Sequence, residues 1–123
     1  MINVTFPETD EEVKYNRVRF LEELRKEAHA ARAVQGTIFS RGKYVNGKPK
    51  CCALGIAAEL FLGITNWEEY DRAENRAINS IYSSVDRMLR VRMAEIESVN
   101  DSISPPEFSF SRVADELERI WDL

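Results

Sequence analysis

The chain has 123 residues, 44% of them apolar and 31% charged, with a formal net charge of −4. A single domain of this size buries enough surface to fold without a disulfide or a metal, and the composition excludes a disordered chain. Its isoelectric point near 5.1 argues against general nucleic-acid binding, whose usual footprint is a strongly basic domain.

The start, Met1-Ile2-Asn3-Val4-Thr5-Phe6, has no basic region followed by an apolar one, so no signal peptide is expected. Thr9 and Glu12 then form a capping box, and the acids Asp10, Glu11 and Glu12 suit the positive end of a helix. Apolar residues recur at Val13, Phe20, Leu21, Leu24, Ala28 and Ala31, one stripe at helical spacing. A first helix from about Asp10 to Val34 is therefore expected, ended by Gln35-Gly36.

Thr37 to Arg41 and Lys43 to Val45 are short β-prone pieces. Asn46-Gly47 is a strong two-residue hairpin signal. Lys48-Pro49-Lys50-Cys51 is the return strand, and Pro49 restricts it to an edge. One small hairpin over about 37–51 follows.

The run from Cys52 to Leu62 is apolar nearly all round, with Gly63 placed to cap it. That pattern predicts a second helix buried on several sides. Gly55 in its interior costs about 1 kcal/mol of helix propensity, which predicts close approach of another backbone along Gly55, Ala58 and Leu62. Ile64 to Tyr70 is expected to be a connection. A third helix is predicted from Asp71, with its stripe at Ile78, Ile81, Val85, Met88, Leu89 and Ile96, either continuous or bent near Ser83-Ser84. Val99-Asn100-Asp101-Ser102 breaks it. A fourth helix starts near Ser109 or Ser111 and carries Val113, Leu117, Ile120 and Trp121 on one face. The expected fold is thus mainly α and a single domain over 1–123: four helices, three of them packed around the buried second, with one hairpin. No apolar run approaches the length of a membrane span, and the expected location is cytoplasmic.

The chain holds two cysteines, adjacent at 51 and 52, and one histidine, His29. Neighbouring cysteines do not suit a disulfide, and no ligand spacing for zinc is present, so no metal or cofactor is expected. A thiol at a helix N-terminus can be activated by the dipole, but a cysteine nucleophile also wants a base, and only His29 offers itself. The simpler reading makes Cys52 a small buried residue and Cys51 a partly exposed one. Asn100 and Asp101 read as side chains that bond neighbouring amides and hold the loop before Pro105. Glu59, the only charge on the second helix, needs a partner if buried, such as an arginine of the third helix.

Charge is unevenly spread. Residues 28–58 contain no acid and five bases, Arg32, Arg41, Lys43, Lys48 and Lys50, whereas residues 95–123 carry eight acids and two bases. The candidate binding residues are Arg41, Lys43, Tyr44, Lys48 and Lys50 on the hairpin. A second basic surface is Arg72, Arg76, Arg87, Arg90 and Arg92. Trp67, Tyr70, Trp121, Phe108 and Phe110 are core edges, or protein-contact anchors if several stay exposed together.

Gln35-Gly36, the glycine-containing hairpin, Cys52-x-Leu54-Gly55-x-Ala57, and later Ile96-x-x-Val99-Asn100-Asp101 with Phe108, Val113 and Leu117 together resemble an uncharacterised family of small bacterial and phage domains. The resemblance spans about Arg17 to Leu123. The chain departs from it at Ile56, where alanine is common, and at Val99, where an aromatic residue often stands. The resemblance implies a mostly helical domain, prompts a phage or mobile-element origin and implies no activity. The function expected is a non-enzymatic interaction protein acting on a host factor. The alternatives are a binder of an anionic small molecule or nucleotide through the basic hairpin, and a thiol-dependent enzyme. A long amphipathic helix, the first or third, could also complete its core in a homodimer.

Overall fold

The computed structural model describes residues 5–76 and 81–123, with the side chains of 73–76 outside the description. The elements run α1 (Asp10–Ala28), β1 (Phe39–Val45), β2 (Lys48–Cys51), α2 (Ala53–Leu62), α3 (Trp67–Arg76), α4 (Ile81–Leu89), α5 (Met93–Ser102) and α6 (Phe110–Ile120). The fold is mainly α with one antiparallel two-stranded hairpin, as the hydrophobic periodicity predicts.

Helix α2 is the hub. Its residues Ala53 to Ala58 are all buried, and α1, α4, α5 and β2 pack against it. Helix α6 lies chiefly on α1 and α5, while α3 touches β1 and α4. One apolar cluster runs through all of these, from Phe20 and Leu24 of α1 through Leu54 and Ile56 to Ile96 and Leu117. No helix among the described residues is long and apolar enough to cross a membrane.

Helix α1 begins where its capping box places it, with the Thr9 hydroxyl accepting from the Glu12 amide at 3.1 Å. It ends at Ala28 instead of Val34. His29 is its C-cap, and Ala31 takes a left-handed φ of 55°. The reason is tertiary. The residues after the turn pair with β2: the Cys51 amide donates to the Arg32 carbonyl at 3.0 Å, and the Val34 amide donates to the Cys51 carbonyl at 3.0 Å. Pairing with the sheet outcompetes one more helical turn.

The stripe expected to form one third helix is divided among separate helices. Trp67 to Tyr70, expected as a connection, form the first turn of α3, where the Asn66 side chain accepts from the Glu69 amide at 2.9 Å. Ile78 lies outside the described residues. The break falls between α4 and α5 at Arg90, with φ of 48°, and not at Ser83-Ser84. It is held from α1. Asn16 Nδ2 donates to the Met88 carbonyl at 3.0 Å, and Arg17 donates to the carbonyls of Leu89 and Arg90 at 2.8 and 3.0 Å. These bonds satisfy carbonyls that a helix end leaves without partners. Asp86 Oδ1 then accepts from the Met93 amide at 2.6 Å, which starts α5. Asn100 and Asp101 sit in the last turn of α5 instead of breaking it.

Candidate functional site

The hairpin is fixed by its root. Arg32, counted with the basic surface from sequence, is only 1% exposed. Its guanidinium donates to both carboxylate oxygens of Glu59 at 3.1 and 2.5 Å, to Glu27 at 3.2 Å, and to the Pro49 carbonyl at 2.8 and 3.0 Å. Burial opposes its charge, and the Glu59 hydrogen bonds, with attraction to the surrounding anions, more than restore it, so the guanidinium is held above its ordinary pKa. Glu59 thus has the arginine partner its burial demanded, but from the segment after α1 and not from the third helix. Taking Arg32 away from the surface leaves the hairpin bases on a smaller patch.

Of the predicted binding residues, Arg41, Lys43, Tyr44 and Lys48 are exposed and Lys50 is half-buried. Tyr44 keeps 54% of its surface in water. Lys48 Nζ reaches to 3.9 Å from Glu27, joining the rim of the Arg32 network. Arg41 lies over the ring of Trp67, 5.0 Å from its centroid, a cation–π distance. The second basic surface is dispersed. Arg87 covers Phe6 at 3.7 Å, Arg90 pairs with Asp10 at 2.6 Å, Arg92 precedes α5, Arg72 is exposed on α3, and the Arg76 side chain is outside the described residues.

Trp67 opens onto a cleft of about 220 Å³. One wall is the 36–38 segment with Cys52 and Leu54 at the start of α2. Trp67 and Tyr70 of α3 and Tyr82 of α4 form the aromatic side. Glu97 and Asp101 of α5 close the third. Trp67 and Tyr70 pack with ring centroids 5.5 Å apart, and Tyr70 meets Phe39 edge-on at 6.5 Å. The Tyr82 hydroxyl donates to Glu97 Oε2 at 2.9 Å; burial first, and that carboxylate second, raise its pKa. Of the two readings of the aromatics, the core-edge one describes what is seen, since none of the five is exposed. Trp67, Tyr70, Phe108 and Trp121 pack against the core as edges, Phe110 is fully buried, and Trp67 and Tyr70 also face the cleft. Sequence reasoning did not find this cleft, because its walls come from five separate segments.

Asn100 and Asp101 hold structure across long distances in sequence, not the local loop expected. Asn100 is fully buried. Its Oδ1 accepts from the Ala53 amide at 3.0 Å, supplying the α2 cap that Cys52 does not, and its Nδ2 donates to the Val34 carbonyl at 3.2 Å. Asp101 Oδ1 accepts from the Gly36 amide at 3.2 Å. Gln35 Nε2 completes the clasp by donating to the carbonyls of Asn100 and Ile103 at 2.9 and 2.7 Å.

The thiols are both buried, Cys51 completely and Cys52 to within 3%, so the expected partial exposure of Cys51 is corrected. Burial raises the Cys52 thiol to about 11, while the amides of Gly55 and Leu54 pull it down less strongly. Burial likewise raises Cys51. The helix N-terminus does favour the thiolate, but desolvation outweighs it. His29 is exposed at the C-cap of α1. Among the described residues no cluster of three His, Cys, Asp or Glu could hold a metal ion.

Compared with known proteins, the chain matches no family, no curated protein and no solved structure. The geometry therefore carries the functional reading.

Proposed function

We propose that the protein is a non-catalytic binding module of the cytoplasm, and that it meets a protein partner on the face formed by the hairpin and the adjoining cleft. The carrying observation is the anchored hairpin. A two-stranded ribbon is marginal in water by itself. Here the buried Arg32 network grips its root, and Arg41, Lys43, Tyr44 and Lys48 stand outward on a fixed support. Tyrosine and arginine are favoured contact anchors, and a rigid support spares the backbone ordering that a free ribbon would cost. The buried, protonated thiols favour binding over nucleophilic chemistry at neutral pH. The resemblance to phage domains is what suggests a host factor as the partner.

A photo-crosslinking residue at Tyr44, irradiated in extract of the native host, tests the reading. One dominant cross-linked protein is expected, competed by unlabelled protein and lost in the K43E/K48E double variant. Rapid alkylation of Cys51 or Cys52 in the folded protein at pH 7.5 would instead return the thiol-dependent enzyme. Salt-sensitive nucleotide binding that needs Lys43 and Lys48, with no cross-linked protein, would replace the protein partner by an anionic ligand.

A further inference from the structure

The cleft carries two carboxylates, the half-buried Glu97 and the exposed Asp101. Glu97 and Asp101 are four residues apart on α5, so they share one face a turn apart. Like charges at that spacing repel, and Asp101 stands in the last turn of the helix, at its negative end, where there is no base. Neither enters an ion pair among the described residues. Glu97 Oε2 accepts from Tyr82, and Asp101 Oδ1 accepts from the Gly36 amide and from Asn100 Nδ2 at 2.9 Å, but Glu97 Oε1 and Asp101 Oδ2 accept none among the described residues. The amino end of α2 lies nearby, and its amides are already engaged with Asn100 and Cys52.

The same cleft is lined by Trp67, Tyr70 and Tyr82, the last already bonded to Glu97. Carboxylates and aromatic side chains lining one cleft favour an organic cation over a metal ion, which would want more oxygen ligands. The chain already shows the preference, since the Arg41 guanidinium rests on Trp67 at the rim. A planar guanidinium also matches two carboxylate oxygens and stacks on a ring, which a lysine ammonium does less well. From this geometry we infer that the cleft takes the guanidinium of an arginine carried on an extended segment of the protein partner, seated between Glu97, Asp101 and the Trp67 ring. Arg41 is then a resident competitor for the ring face.

The inference rests on the binding-module reading and is tested apart from it. The peptide acetyl-Gly-Arg-Gly-amide is titrated into the full chain and followed by NMR, against the same peptide with citrulline, which keeps the shape and removes the charge. The arginine peptide is expected to shift the Trp67 indole and the Glu97 and Asp101 amides, and to bind at least tenfold more tightly than the citrulline peptide. Glu97→Gln should weaken it about fivefold or more, and Arg41→Ala should strengthen it. Equal binding of the two peptides, or no binding of either, overturns the inference. The wild-type comparison needs no variant, so a folding defect cannot hide that result. Methylguanidinium binding as tightly as the peptide would make the occupant a free small cation, and calcium chloride displacing the peptide would make it a metal; either overturns the partner arginine. If Tyr44 cross-linking survives in Glu97→Gln and the peptides fail, the module reading stands and the cleft inference falls.

Discussion

The root of the hairpin and the wall of the cleft both gather acidic side chains, and they treat them in opposite ways. At the root, Glu27 and Glu59 close on Arg32, and every nitrogen of its guanidinium finds an oxygen. At the cleft, Glu97 and Asp101 share a helix face with no base between them. A paired, buried charge holds position, and its removal is felt as lost structure. An unpaired charge beside an open space adds little to folding and leaves attraction available for something outside the chain. The difference separates scaffold from surface more sharply than the overall charge does.

The comparison can be broken by substitution. Arg32→Met should be the most damaging change. It leaves the largely buried Glu59 without a cation and Glu27 with only the distant, exposed Lys48, and is expected to cost about 3–5 kcal/mol in urea unfolding. A cost under about 1 kcal/mol would mean that the root is not an anchor. Stability should also fall in alkali. The Cys52 thiol titrates near 9.0 when exposed and near 11 when folded, so its contribution is complete below about pH 9 and is lost as pH rises through 11. The unfolded state sheds its proton first, and the loss should reach about 2 kcal/mol by pH 11. Ellman's reagent should react with the native protein only at the rate of its opening. Gly55→Ala comes next, at about 1–3 kcal/mol. Its new Cβ would press on the Ile38 carbonyl oxygen and lie 2.5 Å from Cys51 Cβ. The smallest effect is expected for Glu97→Gln. Removing one of two like charges should leave thermal stability unchanged or raise it by a few tenths of a kcal/mol. A clear loss there would show Glu97 to be as structural as Glu59.

Much of the architecture was legible because it depends on local signals. The Thr9 to Glu12 capping box, the Asn46-Gly47 turn, the apolar run of α2 with Gly63, and the start of α6 at Ser109 all act within a few residues. What escaped depends on partners far along the chain. The alanine-rich end of the first helix reads as helix until Arg32 finds Glu59 and the backbone finds Cys51. Leu89-Arg90-Val91-Arg92 contains no glycine or proline, and the break there is held by Asn16 and Arg17 of α1. The candidate site was half visible. The exposed hairpin residues could be named from their type, whereas the cleft needed five segments to meet, and its two carboxylates looked in sequence like any charges on a helix. Asn100 was read as structural, but its partner Ala53 lies 47 positions away, beyond the reach of any local rule.

The missing side chain of residue 55 governs more than the packing of α2. The carbonyl that crosses above it belongs to Ile38, and Ile38 is also part of the cleft wall. A substituent at that glycine would press on a residue of the wall, so a residue with no surface of its own bears on an opening that others line. Selection for a wider or narrower cleft could therefore act from inside the core, at a position that no scan of exposed residues would visit.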